Sequence, residues 1–176
     1  MIDASATPAH AAPARRFRFV ADWPAPAAED AEAIRGFWRR EHAFNDEAQM
    51  TARLPQVVMH ALDGDEVAAV STAVAMTPPI FGQPVYYYRS FVGRKWRTTI
   101  LVESLLKRSQ ALLGAFARER DYPCIGVLLE LENARFRKRM RMPVWSRTGF
   151  VYVGRSGRGL EYRVAFFGGA TLKDPS

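Results

Sequence analysis

Glu130 and Glu132 stand two positions apart at the end of an apolar run, a spacing that in a strand turns both carboxylates to one side. A carboxylate raised in pKa by burial can take a proton from an ammonium nucleophile, which makes Glu130 a candidate general base. The structural alternative is an exposed strand end, since charged side chains are rarely buried. Tyr86, Tyr87 and Tyr88 put phenol hydroxyls on both faces of a second strand, and Tyr88 is a candidate to reach a cleft. His60 is a possible base beside that strand, although a lone histidine is more often structural. His10 lies near the N-terminus and His42 on a helix, so no triad or metal constellation forms. The single cysteine, Cys124, sits in an apolar stretch and reads as inert core.

A different chemistry is written in Arg94-Lys95-Trp96-Arg97-Thr98-Thr99. A strand, Val85 to Val92, ends at Gly93, and a helical pattern opens at Thr98 or Thr99 and runs to Arg118. Ile100, Leu101, Leu105, Leu112, Leu113 and Phe116 recur on one face of that helix, and Glu103 lies in an early turn where the dipole favours an acid. Strand, basic turn and helix N-terminus together can hold phosphate: the first N–H groups of the helix are free, and Arg94 and Arg97 add charge beside them. The same pattern also serves as a plain solvated turn.

The remaining elements follow from periodicity and breakers. Arg16 to Val20 alternates as a strand, Ala28 to Phe44 is a helix with Ile34, Phe37 and Trp38 inward, and Asp46 to Leu54 is a second helix. Strands are expected at Gln56–Leu62 and Glu66–Met76 around an Asp63-Gly64-Asp65 turn, and again at Pro123–Leu131. Asn133–Met142 is a basic helix closed by Pro143, and Phe150–Arg155 and Leu160–Phe167 are the last strands. The 176 residues bound one domain, expected over 15–168, with an Ala/Pro-rich tail at 1–14 and a short tail at 169–176.

A 48% hydrophobic content excludes a disordered chain, and no apolar run reaches the roughly 18 residues of a membrane span. The start lacks a signal-peptide pattern, so a cytoplasmic protein is expected, with no membrane partner. Net charge is +7 with pI near 10, which calls for an anionic partner. Arg135, Arg137, Lys138, Arg139 and Arg141 form the densest basic run. It reads as a solvated helix face, as a cofactor or acceptor contact, or as a nucleic-acid surface with Phe136 or Trp145 for stacking.

The order strand, two helices, three strands, helix, strand, helix, two strands resembles the GNAT superfamily of N-acyltransferases over roughly Arg16 to Phe167. The motifs that carry the resemblance are Phe91-Val92-x-x-x-Trp96-Arg97, like the strand that enters the acyl-CoA pyrophosphate turn, and Val144-Trp145-Ser146-Arg147-Thr148-Gly149-Phe150, like the turn before the sixth strand. The resemblance implies a mixed α/β fold with a central sheet of about seven strands and about four helices. It implies acetyl-CoA or another acyl-CoA as co-substrate, no metal, and an amine of a small molecule or peptide as acceptor. A homodimer is left open. Phe91 and Val92 would orient the acyl group through backbone N–H; Arg94 or Arg97, Thr98 and Thr99 would hold pyrophosphate, and Asn133 and Trp145 would lie along the pantetheine arm. Two departures stand out. Ile100 and Val102 occupy the places of the family's loop glycines when the motif starts at Arg97, and Trp145 stands where many members have a tyrosine that protonates the thiolate. A GNAT-like interaction domain without catalysis, or a basic nucleic-acid-binding protein, are the alternatives.

Overall fold

Strong β formers, buried almost without a break in the central strands, build the sheet of this molecule, and two amphipathic helices cover it. The computed structural model describes residues 16–132 and 142–173. The strands are β1 (Arg18–Ala21), β2 (Val57–Asp63), β3 (Glu66–Met76), β4 (Val85–Val92), β5 (Gly126–Leu131), β6 (Val144–Trp145), β7 (Phe150–Arg155) and β8 (Glu161–Phe166). The helices are α1 (Ala28–Glu41), α2 (Glu47–Arg53) and α3 (Thr99–Glu119). All eight strands form one sheet in the order β1-β2-β3-β4-β5-β8-β7-β6, and β4 with β5 is its parallel pair. The expected mixed α/β architecture is therefore present.

Each face of the sheet has its own helix. On one, Phe91 of β4 meets Phe37 of α1 edge to face at 5.8 Å. On the other, Ser71 of β3 bonds Ser109 of α3 at 2.9 Å, and Arg108 lies 4.7 Å over the ring of Phe19. α3 buries Leu101, Leu105, Leu106, Ser109 and Leu113. Ile100 does not join them; it is 76% exposed, because in the first turn its direction falls beyond the sheet.

Several expectations shift by a few residues. α1 ends at Glu41 rather than Phe44, since His42 turns left-handed at φ 53° and stops the helix. Asp46 caps α2 through Gln49 N–H. Cys124 precedes β5 instead of lying in it, and burial pushes its thiol up to about 12, so it is inert. The two-residue β6 is an additional strand, visible only through its pairing with β7. Residues 1–14 and the basic segment from Asn133 to Arg141, including Phe136, lie outside the described residues. Past β8, the Thr171 carbonyl and the Lys173 N–H both bond the Gln83 amide.

Candidate active site

The pairing of β4 with β5 is short. Tyr86, Tyr87 and Tyr88 pair with Val127, Leu128 and Leu129, yet β4 continues to Val92 and β5 to Leu131. Past the Tyr88–Leu129 pair the strands part, and backbone groups that a parallel ladder would join face an opening. That opening is a cavity of about 530 Å³. The strand ends contribute Tyr88 to Val92 and Leu129 to Glu132. α3 adds Val102 and Leu106, β6 adds Trp145, and the α1–α2 region adds Trp38, Phe44 and Arg53.

The cationic turn borders this cavity through one residue. Arg97 lines it and donates from Nε to the Val92 carbonyl at 3.3 Å. Arg94 is not among the lining residues; its backbone N–H donates to Glu41 at 3.1 Å. Lys95 pairs with Glu66 at 2.5 Å and lies over the Trp96 ring, whose indole N–H donates to Asp63 at 2.7 Å. Gly93 makes this possible, because a Cβ there would sit 2.7 Å from the Trp96 ring. The Thr98 hydroxyl accepts from Leu101 N–H and caps α3, and Thr99 is the first helical residue. Neither threonine lines the cavity. Val102 does, so a branched side chain stands where the family pattern has glycine.

Glu130 behaves differently from the expectation of a raised pKa. Its side chain is 5% exposed, and burial alone would push it up. Hydrogen bonds from Ser156 and Tyr87 and the charges of Arg158 and Arg89 outweigh burial and hold the carboxyl below its usual range. The Tyr87 hydroxyl donates at 2.6 Å, and Arg158 Nη1 bridges Glu130 and Glu132 at 3.0 Å each. Both acids thus join one ion-paired network, Glu130 buried within it and Glu132 exposed just past the end of β5.

Tyr88 is buried, and burial pushes its phenol far above the ordinary value. Its hydroxyl lies among those of Ser109, Ser71 and Ser90, whose hydrogen bonding offsets part of that rise. Trp145 is 6% exposed, and the guanidinium of Arg163 lies 4.4 Å over its ring. Arg163, itself 2% exposed, donates to the carbonyls of Met142 and Pro143 and fixes the entry to β6. Glu103 pairs with Arg147 at 2.7 Å and ties the β6–β7 turn to α3. His60 lies elsewhere, bonded to Asp22 at 2.8 Å in the core. Asn133 lies outside the described residues.

Sequence reasoning missed Arg53, Arg89, Arg158 and Arg163. Arg89 had a signal, a charge inside an aromatic strand, and so did Arg163, a charge at an apolar phase of β8. Arg53 had none. Among the described residues no group of three or more His, Cys, Asp or Glu could hold a metal, and no helix is long and apolar enough to cross a membrane.

No protein-family model and no curated protein matches the sequence. Solved structures do match the fold. A phosphinothricin acetyltransferase of the GNAT superfamily from Sinorhizobium meliloti, in complex with AcCoA, is 15% identical with TM-score 0.62, over 91% of this chain and 93% of that one. A GNAT-family acetyltransferase from Streptococcus pneumoniae is 13% identical with TM-score 0.59, over 87% of this chain and 100% of that one. An N-acetyltransferase from Staphylococcus aureus is 10% identical with TM-score 0.57, over 86% and 97%. The chain has the GNAT fold.

Proposed function

We propose that this protein is an N-acyltransferase that moves an acyl group from a CoA thioester to an amine of a small molecule or peptide. The observation that carries the reading is the parting of β4 and β5 after Tyr88–Leu129, which opens a cavity beside unpaired strand backbone. Backbone N–H near Phe91 and Val92 orients the thioester carbonyl and stabilises its oxyanion. The α3 N-terminus and Arg97 hold pyrophosphate. The amine lone pair attacks the carbonyl carbon, the C–N bond forms, and the C–S bond breaks. The amine gives up its proton to water or a carboxylate, and the departing thiolate takes one. Tyr88, which lines the cavity, is the donor we assign. A neighbour of the same fold in complex with AcCoA supports the co-substrate.

A second reading rests on Ile100 and Val102, whose side chains keep backbone from pyrophosphate and suit an interaction domain that has lost catalysis. Calorimetry separates the two. Acetyl-CoA binding near a micromolar Kd, about −8 kcal/mol, is expected for the enzyme, together with thiol release in the presence of amines. No heat at millimolar ligand supports the interaction domain.

A further inference from the structure

Arg53 ends α2 and opens onto the cavity. Its one hydrogen bond among the described residues runs from Nη1 to the amide oxygen of Gln56 at 3.1 Å, and no carboxylate there lies within ion-pairing distance. A half-buried guanidinium without a counter-charge is costly, and Arg89 raises the cost, since the two like charges are close enough to disfavour each other. Arg89 at least has Glu132, at 4.0 Å. Arg89 and Arg158 pair with Glu132 and Glu130, whereas Arg53 lines the cavity with no carboxylate partner among the described residues.

The surroundings constrain what can balance that charge. Trp38, Phe44 and Phe91 line the same cavity, with Trp38 and Phe44 edge to face at 5.0 Å. Glu130 and Glu132 line it too, and their carboxylate oxygens can accept hydrogen bonds from an amine or ammonium. A ligand that suits all three features has a single negative charge, an ammonium or amine, and an apolar body. With Arg97 assigned to the pyrophosphate, the one remaining guanidinium of the lining without a carboxylate matches a carboxylate better than a phosphate monoester, which carries close to two charges.

Resting on the acyltransferase reading, we infer that Arg53, assisted by Arg89, binds the carboxylate of the acceptor, so that the amine acylated belongs to an amino acid with an apolar side chain. Arg53 and the carboxylate form a charge-assisted pair in a partly desolvated site, where the guanidinium fork can engage both oxygens. The apolar side chain packs on Trp38, Phe44 and Phe91. The amino group is left toward the parted strand ends, where the thioester carbonyl lies.

The test is release of free thiol from acetyl-CoA with L-leucine and L-phenylalanine, each against its methyl ester. The wild type is expected to favour the acid by about tenfold or more in kcat/KM, the worth of one charge-assisted contact. Arg53→Gln should bring that ratio to within about twofold, and Arg53→Lys should keep part of it. Turnover of acids and esters at equal efficiency in the wild type overturns the inference while the acyltransferase reading stands. If no amine is turned over, the acyltransferase reading fails, and calorimetry with unreactive N-acetyl-L-leucine and its methyl ester decides about Arg53 alone. Tighter binding of the acid, lost in Arg53→Gln, supports the anion site; equal binding or none overturns it.

Discussion

Glu130 is the residue whose environment most changes its chemistry. A carboxylate held below the ordinary 4.5 is a weak acceptor for an ammonium proton, so it serves better to attract a cation than to deprotonate one. The pH dependence follows. The folded-state pKa is depressed, so the stability contributed by Glu130 is present above the unfolded value and is lost as pH falls through the folded one. Glu130→Gln is therefore expected to lower the urea midpoint at pH 7, with the gap to the wild type closing in acid below pH 4.5. A gap that widens in acid would refute the network around Arg158 and Tyr87. For turnover, kcat/KM should rise with pH toward the pKa of the acceptor amine, with no inflection between about pH 5 and 7 from this carboxylate. An inflection there that disappears in Glu130→Gln would restore the raised-pKa base that the sequence suggests.

At the scale of elements, the turn between β4 and α3 couples packing to ligand contact. Gly93→Ala drives a methyl group into the Trp96 ring, 2.7 Å away, and overpacking of this kind costs about 1–3 kcal/mol. Thr98→Ala removes the α3 cap and costs about 1 kcal/mol. Thermal melts measure both, and an unchanged midpoint in Gly93→Ala would mean that Trp96 swings aside without loss. Arg97→Ala should weaken acetyl-CoA binding by about 1.5–3 kcal/mol with little change in melting, because its guanidinium borders the cavity. If Arg94→Ala weakens binding and Arg97→Ala does not, the phosphates lie three residues earlier than proposed.

At the scale of the molecule, a ligand seated between parted strands links the β1–β4 half of the sheet to the β5–β8 half. The parallel junction between them is three pairs long, shorter than the neighbouring β3–β4 ladder. Acetyl-CoA at a hundred times its Kd stabilises the fold by about 2.7 kcal/mol, which for a chain of this size is roughly 5–10 °C in Tm. No shift at millimolar acetyl-CoA, with the protein folded, would remove the co-substrate from the proposal.

The sequence by itself determined the elements whose signal is local. β3 and β4 begin and end where alternation and aromatic content place them, and α3 starts at its threonine cap. The motif order around Arg97 and Trp145 was enough to indicate the fold. What the sequence could not contain is how distant charges meet. Glu130 receives Tyr87 from 43 residues away and Arg158 from 28, and that company reverses the pKa shift expected from burial. Arg53 is an ordinary last-turn arginine until α2 is laid beside the cavity, where it lacks a carboxylate among the described residues. The cavity itself depends on where a parallel ladder stops, and strand propensity carries no information about when two strands part. Those features arise from packing and long-range electrostatics, so only the tertiary structure decided them.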